Sequence, residues 1–396
     1  MRPRAISRVV AFAICSVAFD ALAQTNAHAG PVAATATAEM AAYTDSDSVT
    51  VFTPAASAVM TDESRGWRAN GAYLADIVSA ASVDIVSTAS QRWQEVRHGG
   101  ELGGMYKPHD VGLGVDTSVS SEPDYLSLSA GARVLLDTHE KTANPTFGYA
   151  YTHDTAGRTG TPFSVYAQRL QRHSLNAGVE LVLDRATTLN MSLDVNLERG
   201  DQKKPYRMLP IFEADVVSRV PAGASLATVN LLRSPGRMTE KTPLERNRFA
   251  LSARFAHRFS GSTFLLSDRL YADDWGLFAF TTDVRYVIDV GRRFYVWLHF
   301  RGNLQSGVSF WQRAYVGATG DGTSDQPTYR TGDRELSPLE SATGGAGVRW
   351  NFGAAPRSSR WGLVVQGDTI ATHFRDALYV TDRVAQLFVL QVETEL

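Results

Sequence analysis

The sequence predicts an all-β fold: a transmembrane, antiparallel, up-and-down β-barrel of about 14–16 strands. Three observations predict it. Apolar residues recur at every second position over segments of about ten residues, as in a ribbon with one oily and one wet face. The wet parity is rich in ionised residues, which an aqueous lumen accommodates and a dry sandwich core does not. The connections alternate between short and long, as in a barrel with turns at one end and loops at the other.

The chain has 396 residues, 44% hydrophobic and 20% charged, with a net charge of −2. That composition excludes wholesale disorder. A near-neutral chain without a basic block is a poor match for nucleic acid, so no nucleic-acid partner is expected. Residues 1–29 read as a secretory signal peptide. Arg2, Arg4 and Arg8 precede an apolar stretch from Val9 to about Phe19, followed by Ala21-Leu22-Ala23 and Ala27-His28-Ala29. Cleavage after Ala23 and cleavage after Ala29 fit equally well. The stretch is shorter than the ~20 apolar residues that span a bilayer as a helix. Cys15, the only cysteine, lies inside it, so no disulfide, thiolate metal site or cysteine nucleophile is expected in the mature chain.

Residues 30–60 read as an N-terminal periplasmic or lumenal segment in which Val49 to Met60 offers an extra strand. The barrel itself is read from 61 to 396. Leu126, Leu128, Ala130, Ala132, Val134 and Leu136 share one parity, opposite Ser127, Ser129 and Arg133. Leu175, Ala177, Val179 and Leu181 alternate with Ser174, Asn176 and Glu180. After a short turn, Leu189, Met191, Leu193, Val195 and Leu197 alternate with Asn190, Ser192, Asp194, Asn196 and Glu198. Phe249, Leu251 and Phe255 oppose Arg248 and Arg254, and Phe280, Val284 and Tyr286 oppose Asp283 and Arg285. Phe294, Val296, Leu298 and Phe300 oppose Trp297, His299 and Arg301, and Val348 and Trp350 oppose Arg349. The alternation is weaker over 67–77, 109–119, 144–154, 263–272 and 360–370. Termini on one side require an even strand number. Fourteen leaves 30–60 outside the barrel, and sixteen takes two strands from it.

One segment is more specific. Residues 75–82 read Ala-Asp-Ile-Val-Ser-Ala-Ala-Ser and residues 83–90 read Val-Asp-Ile-Val-Ser-Thr-Ala-Ser. Upstream stand Val49-Thr50-Val51-Phe52-Thr53-Pro54 and Gly71-Ala72-Tyr73-Leu74, and downstream stands Glu95-Val96-Arg97-His98. Over about residues 49–101 the chain resembles a family of uncharacterised bacterial proteins, defined only as a domain of unknown function and regarded as outer-membrane barrels. The resemblance implies a location in the outer membrane and a barrel fold, and no activity. An eight-residue repeat is even, so Asp76, Ser82, Asp84 and Ser90 share a strand parity. They read either as a polar ladder or oxygen-ligand row, or as caps of a structural hairpin.

Motifs for a nucleophile elbow, a phosphate loop, a dinucleotide fold or a zinc protease are absent from the sequence. If parity holds, Arg133, Glu180, Asp194, Arg254, Asp283, Arg285, Arg301 and Arg349 face the lumen. They form either a permeation path or a salt-bridged plug. The expected role is a pore or passive scaffold for small polar solutes or for another envelope protein. The barrel would sit in outer-membrane lipid, with no cofactor and no covalent chemistry. The alternatives are an outer-membrane hydrolase with a Ser/His site and a soluble periplasmic β-protein that binds a ligand.

Overall fold

The computed structural model describes residues 32–80, 93–204, 207–317, 327–352 and 360–395. The signal segment lies outside them. In chain order the first half contains β1 (Ala33–Asp45), β2 (Val49–Asp62), β3 (Trp67–Ala80), β4 (Trp93–Tyr106), β5 (Val111–Glu122), β6 (Tyr125–Leu136), β7 (Ala143–Ala156), β8 (Gln168–Val182) and β9 (Thr187–Gly200). A long loop follows with β10 (Met208–Phe212), α1 (Ala214–Val217), α2 (Leu226–Leu232) and β11 (Arg237–Thr239). Then come β12 (Glu245–Arg258), β13 (Ser262–Asp273), β14 (Phe278–Val290), β15 (Phe294–Gln305), β16 (Tyr315–Val316), β17 (Leu339–Phe352), β18 (Arg360–Phe374) and β19 (Asp382–Glu395). Sixteen of the strands, all but β10, β11 and β16, close into one antiparallel barrel in which β1 pairs with both β2 and β19. No described helix is long and apolar enough to cross a membrane; the crossing elements are strands of 12 to 15 residues.

The strand count resolves to sixteen because residues 30–60 do not stand apart from the barrel. Ala33–Asp45 and Val49–Asp62 are its first two staves, so the barrel begins at Ala33 and not at 61. Outward positions of β1 are Ala34, Ala36, Ala38, Met40, Ala42 and Thr44, and the four alanines give little hydropathy contrast. Pro54 lacks a ladder N–H, and pairing between β2 and β3 skips from Phe52↔Ile77 to Ala55↔Leu74 around it.

The apolar parity faces outward. Met191, Leu193, Leu251, Leu298 and Phe300 are all exposed on the barrel wall, Leu193 at 45%. Closure leaves no open strand edge, and a wall of this kind is made for hydrocarbon rather than water. Links 63–66, 107–110, 137–142, 183–186, 259–261 and 291–293 are short and lie at the end where β1 begins and β19 finishes. Asp184 shows why one of these turns is tight: its carboxylate accepts from the Ala186 N–H at 2.7 Å and the Thr187 hydroxyl at 2.8 Å. The opposite end carries links 157–167, 201–244, 306–338 and 375–381.

Two of these long links build a cap. β10 pairs antiparallel with β11 and parallel with β16. Phe212, Val220, Val229 and Ala314 form its core, with Leu378 and Tyr379 of the last loop packed against them. Ion pairs tie the cap to the barrel rim: Arg334 to Asp47 at 2.7 Å and Arg383 to Glu335 at 3.0 Å. Phe374, fully buried at the end of β18, lies beneath the guanidinium groups of Arg334 and Arg383.

Candidate functional site: the charged lumen wall

The inward parity holds the ionised residues, and they sort into two populations. The first is paired. On β15, His299 stands beside Gly345 of β17 in register. Gly345 has no side chain, so Asp368 of β18 reaches across it; a Cβ there would lie 1.9 Å from Asp368 Oδ1. His299 Nδ1 is thereby 2.8 Å from Asp368 Oδ1, and Nε2 is 3.0 Å from Asp283 Oδ2. Carboxylates only accept, so the ring donates from both nitrogens and is cationic. Gln366 Nε2 donates to the other Asp368 oxygen at 2.5 Å. Arg301 lies 3.9 Å from Asp283, and Arg285 is buried beside this group. The same device operates one pair along. Trp297, 1% exposed, occupies the space that a Cβ on Gly347 would fill and packs on Val287 and Val364.

A second chain of charges crosses β7 to β12. Glu198, completely buried, takes Arg172 Nε at 2.8 Å and Arg248 Nη2 at 2.9 Å, and Arg172 also approaches Asp154 at 3.7 Å. Below it, Asp194 accepts from Asn176 Nδ2 at 2.6 Å and has Arg269 at 3.7 Å. Arg349 pairs with Glu393 at 3.2 Å and donates to Asn351 at 2.9 Å. Asp76 is buried, accepts from the Thr53 hydroxyl at 2.6 Å and pairs with Arg97 at 2.5 Å. It is therefore a structural anion in the gap opened by Pro54. Ser82, Asp84 and Ser90 lie outside the described residues.

The second population is unpaired. Arg133, Glu180 and Arg254 face inward and are exposed, and no hydrogen bond or ion pair holds them among the described residues. Arg133 has glycines as register partners on both sides, Gly114 and Gly148, so nothing covers it. Sequence reasoning found the members on strong alternations and missed Arg97, Asp154 and Arg172. Arg172 lies only two residues before the recognised β8 pattern; Asp154 and Arg97 lie where apolar residues occupy both parities or the repeat dominates. One acidic cluster was also missed: Glu95, Glu122 and Asp124 bring carboxylate oxygens within 4.8 Å of one another near the long-loop end. Each of the three has further interactions.

A closed barrel with a lipophilic exterior and a hydrated, ionised interior defines a transmembrane β-barrel protein. The chain belongs to the family described as "Protein of unknown function (DUF3570)", whose profile matches residues 94–361. No curated protein matches it. Among solved structures it is similar to OccK7 (OpdD) of Pseudomonas aeruginosa, at 10% identity and a TM-score of 0.43, covering 92% of this chain and 98% of that one. It is also similar to OccK5 (OpdH) of the same organism, at 7% identity and a TM-score of 0.42, covering 94% and 100%. The siderophore receptor PirA from Pseudomonas aeruginosa gives 12% identity and a TM-score of 0.42; the match covers 92% of this chain and 62% of PirA.

Proposed function

We propose that the protein resides in the outer membrane and acts as a pore for small polar solutes. The observation that carries the reading is the unpaired inward population: Arg133, Glu180 and Arg254 meet water inside a closed apolar wall. A salt-bridged plug would have paired them, because an unpaired buried charge is costly. Short turns, the start of β1 and the finish of β19 at one barrel end fit the usual periplasmic side. The reading assigns no covalent chemistry to the lumen. His299, engaged at both nitrogens, has none free to move a proton.

The test is twofold. Fractionation of the host envelope is expected to recover the protein with the outer membrane, extracted only by detergent. Purified, heat-modifiable protein in planar bilayers is expected to conduct. Recovery in the aqueous fraction overturns the location, and folded protein that passes no current, with or without its cap, overturns the pore.

A further inference from the structure

We propose that the outside of the barrel holds a binding groove for one phospholipid molecule with an anionic phosphate headgroup. On the lipid-facing side, one cross-strand row over β14, β15, β17, β18 and β19 reads Thr282, Gly302, Ala342, Ala371 and Val384. Its three central residues are small, whereas Leu298, Phe300, Val365 and Phe388 stand out from the same wall. The small row makes a trough of about 500 Å³, within the ~300–1,000 Å³ of small-ligand sites. A Cβ on Gly302 would meet only Phe300 Cε1, at 3.9 Å, so the trough floor is open space.

The next row toward the long loops changes character halfway. Phe280 and Leu304 continue the apolar wall, and Glu340, His373 and Asp382 follow in register. His373 Nδ1 is 2.8 Å from Asp382 Oδ1, and Arg375 Nη2 donates to Glu340 at 2.6 Å. Asp382 and Glu340 each accept one of these bonds, and donors are left over. Nε2 of His373 and the other guanidinium N–H groups of Arg375 have no partner among the described residues, and both side chains are about half exposed. An apolar trough that opens into hydrocarbon and ends in the spare guanidinium donors of Arg375 matches one amphiphile: an acyl chain below, a phosphate above. A second copy of the chain needs about 800 Å² per partner, far more than a trough one residue row wide supplies.

The experiment uses the full mature barrel, purified in detergent, reconstituted with phosphatidylglycerol, re-extracted and weighed by native mass spectrometry. The wild type is expected to retain one phosphatidylglycerol and to prefer it over phosphatidylcholine of the same chains. Gly302→Leu fills the trough and is expected to cut retention about tenfold, the effect of unburying roughly two methylenes. Arg375→Ala is expected to abolish the preference between headgroups. Heat-modifiable migration checks each fold, and Ala342→Leu replaces Gly302→Leu if that variant does not fold. Unchanged retention in the filled variants overturns the groove, as does a wild-type dimer that the filled variants lose. Conductance is expected to be unaltered in all of them, so this proposal and the pore fail separately.

Discussion

At the scale of single residues, two neighbouring glycines separate the two faces of the wall. Gly345 points inward, where an added methyl collides with Asp368 Oδ1 at 1.9 Å and the Gly367 carbonyl at 2.5 Å. Gly344 points outward, where an added Cβ meets nothing within 4 Å. Gly345→Ala is therefore expected to break the bond between Asp368 and cationic His299 and to lower stability by about 1.5–3 kcal/mol, the worth of a hydrogen bond to a charged group. Gly344→Ala is expected to be neutral or to stabilise by up to ~1 kcal/mol through the unfolded chain. Heat-modifiable unfolding of both variants in detergent measures the contrast, and equal effects would refute the inward–outward assignment. Glu198 sets a second case. Its carboxylate is fully buried between Arg172 and Arg248. Glu198→Gln leaves Arg248 uncompensated and Arg172 with only Asp154, and is expected to cost about 3–5 kcal/mol in the same assay.

At the scale of elements, legibility followed hydropathy contrast. β8, β9, β14 and β15 were readable because Leu and Phe alternate with Asp, Glu and Arg. β1 was not, since its outward face is mostly alanine, and β2 was blurred by Pro54. The weak segments near 109–119 and 263–272 are strands all the same, β5 and β13, because hydrogen bonding to both neighbours overrides local pattern. The cap was illegible: β10 and β16 are far apart in sequence and meet only through tertiary packing. Its weak point is electrostatic. Burial alone would raise the Asp333 carboxyl, yet Arg207 at 2.6 Å and Lys204 at 3.1 Å hold it well below the usual range. A carboxyl depressed in the folded state stabilises above its unfolded value near ~3.9, and that contribution fades as pH falls further. Between pH 5 and pH 2, pepsin is therefore expected to gain access to 201–244, with cleavage mapped by mass spectrometry. Asp333→Asn should be cut equally readily at both pH values relative to a barrel-only control; a pH step that persists in this variant assigns the loosening elsewhere.

At the scale of the whole molecule, parity alone placed Arg133, Glu180, Asp194, Arg254, Asp283, Arg285, Arg301 and Arg349 on the inner wall, because a strand has only two faces. What parity does not contain is pairing, which depends on register between strands far apart in sequence, as with His299 and Asp368. Pairing decides how the lumen looks to a passing ion. Partners such as Arg172 with Glu198 cancel beyond a Debye length of about 8 Å at physiological salt. The inward charges without a pair among the described residues are Arg68, Arg133 and Arg254 against Glu39, Glu101, Asp116 and Glu180. These three positive and four negative charges nearly cancel, in keeping with the chain's net charge of −2. The open channel is expected to discriminate only weakly between anions and cations, read as a small reversal potential under a salt gradient. Arg254→Glu is expected to move that potential toward cation preference while leaving the fold intact, since Arg254 has no partner to lose. Deleting 208–239 removes β10, both helices and β11 and is expected to raise conductance without changing the selectivity, because the unpaired charges belong to the barrel wall and not to the cap. A selectivity that shifts with the cap instead of with Arg254 would locate the filter in the loops.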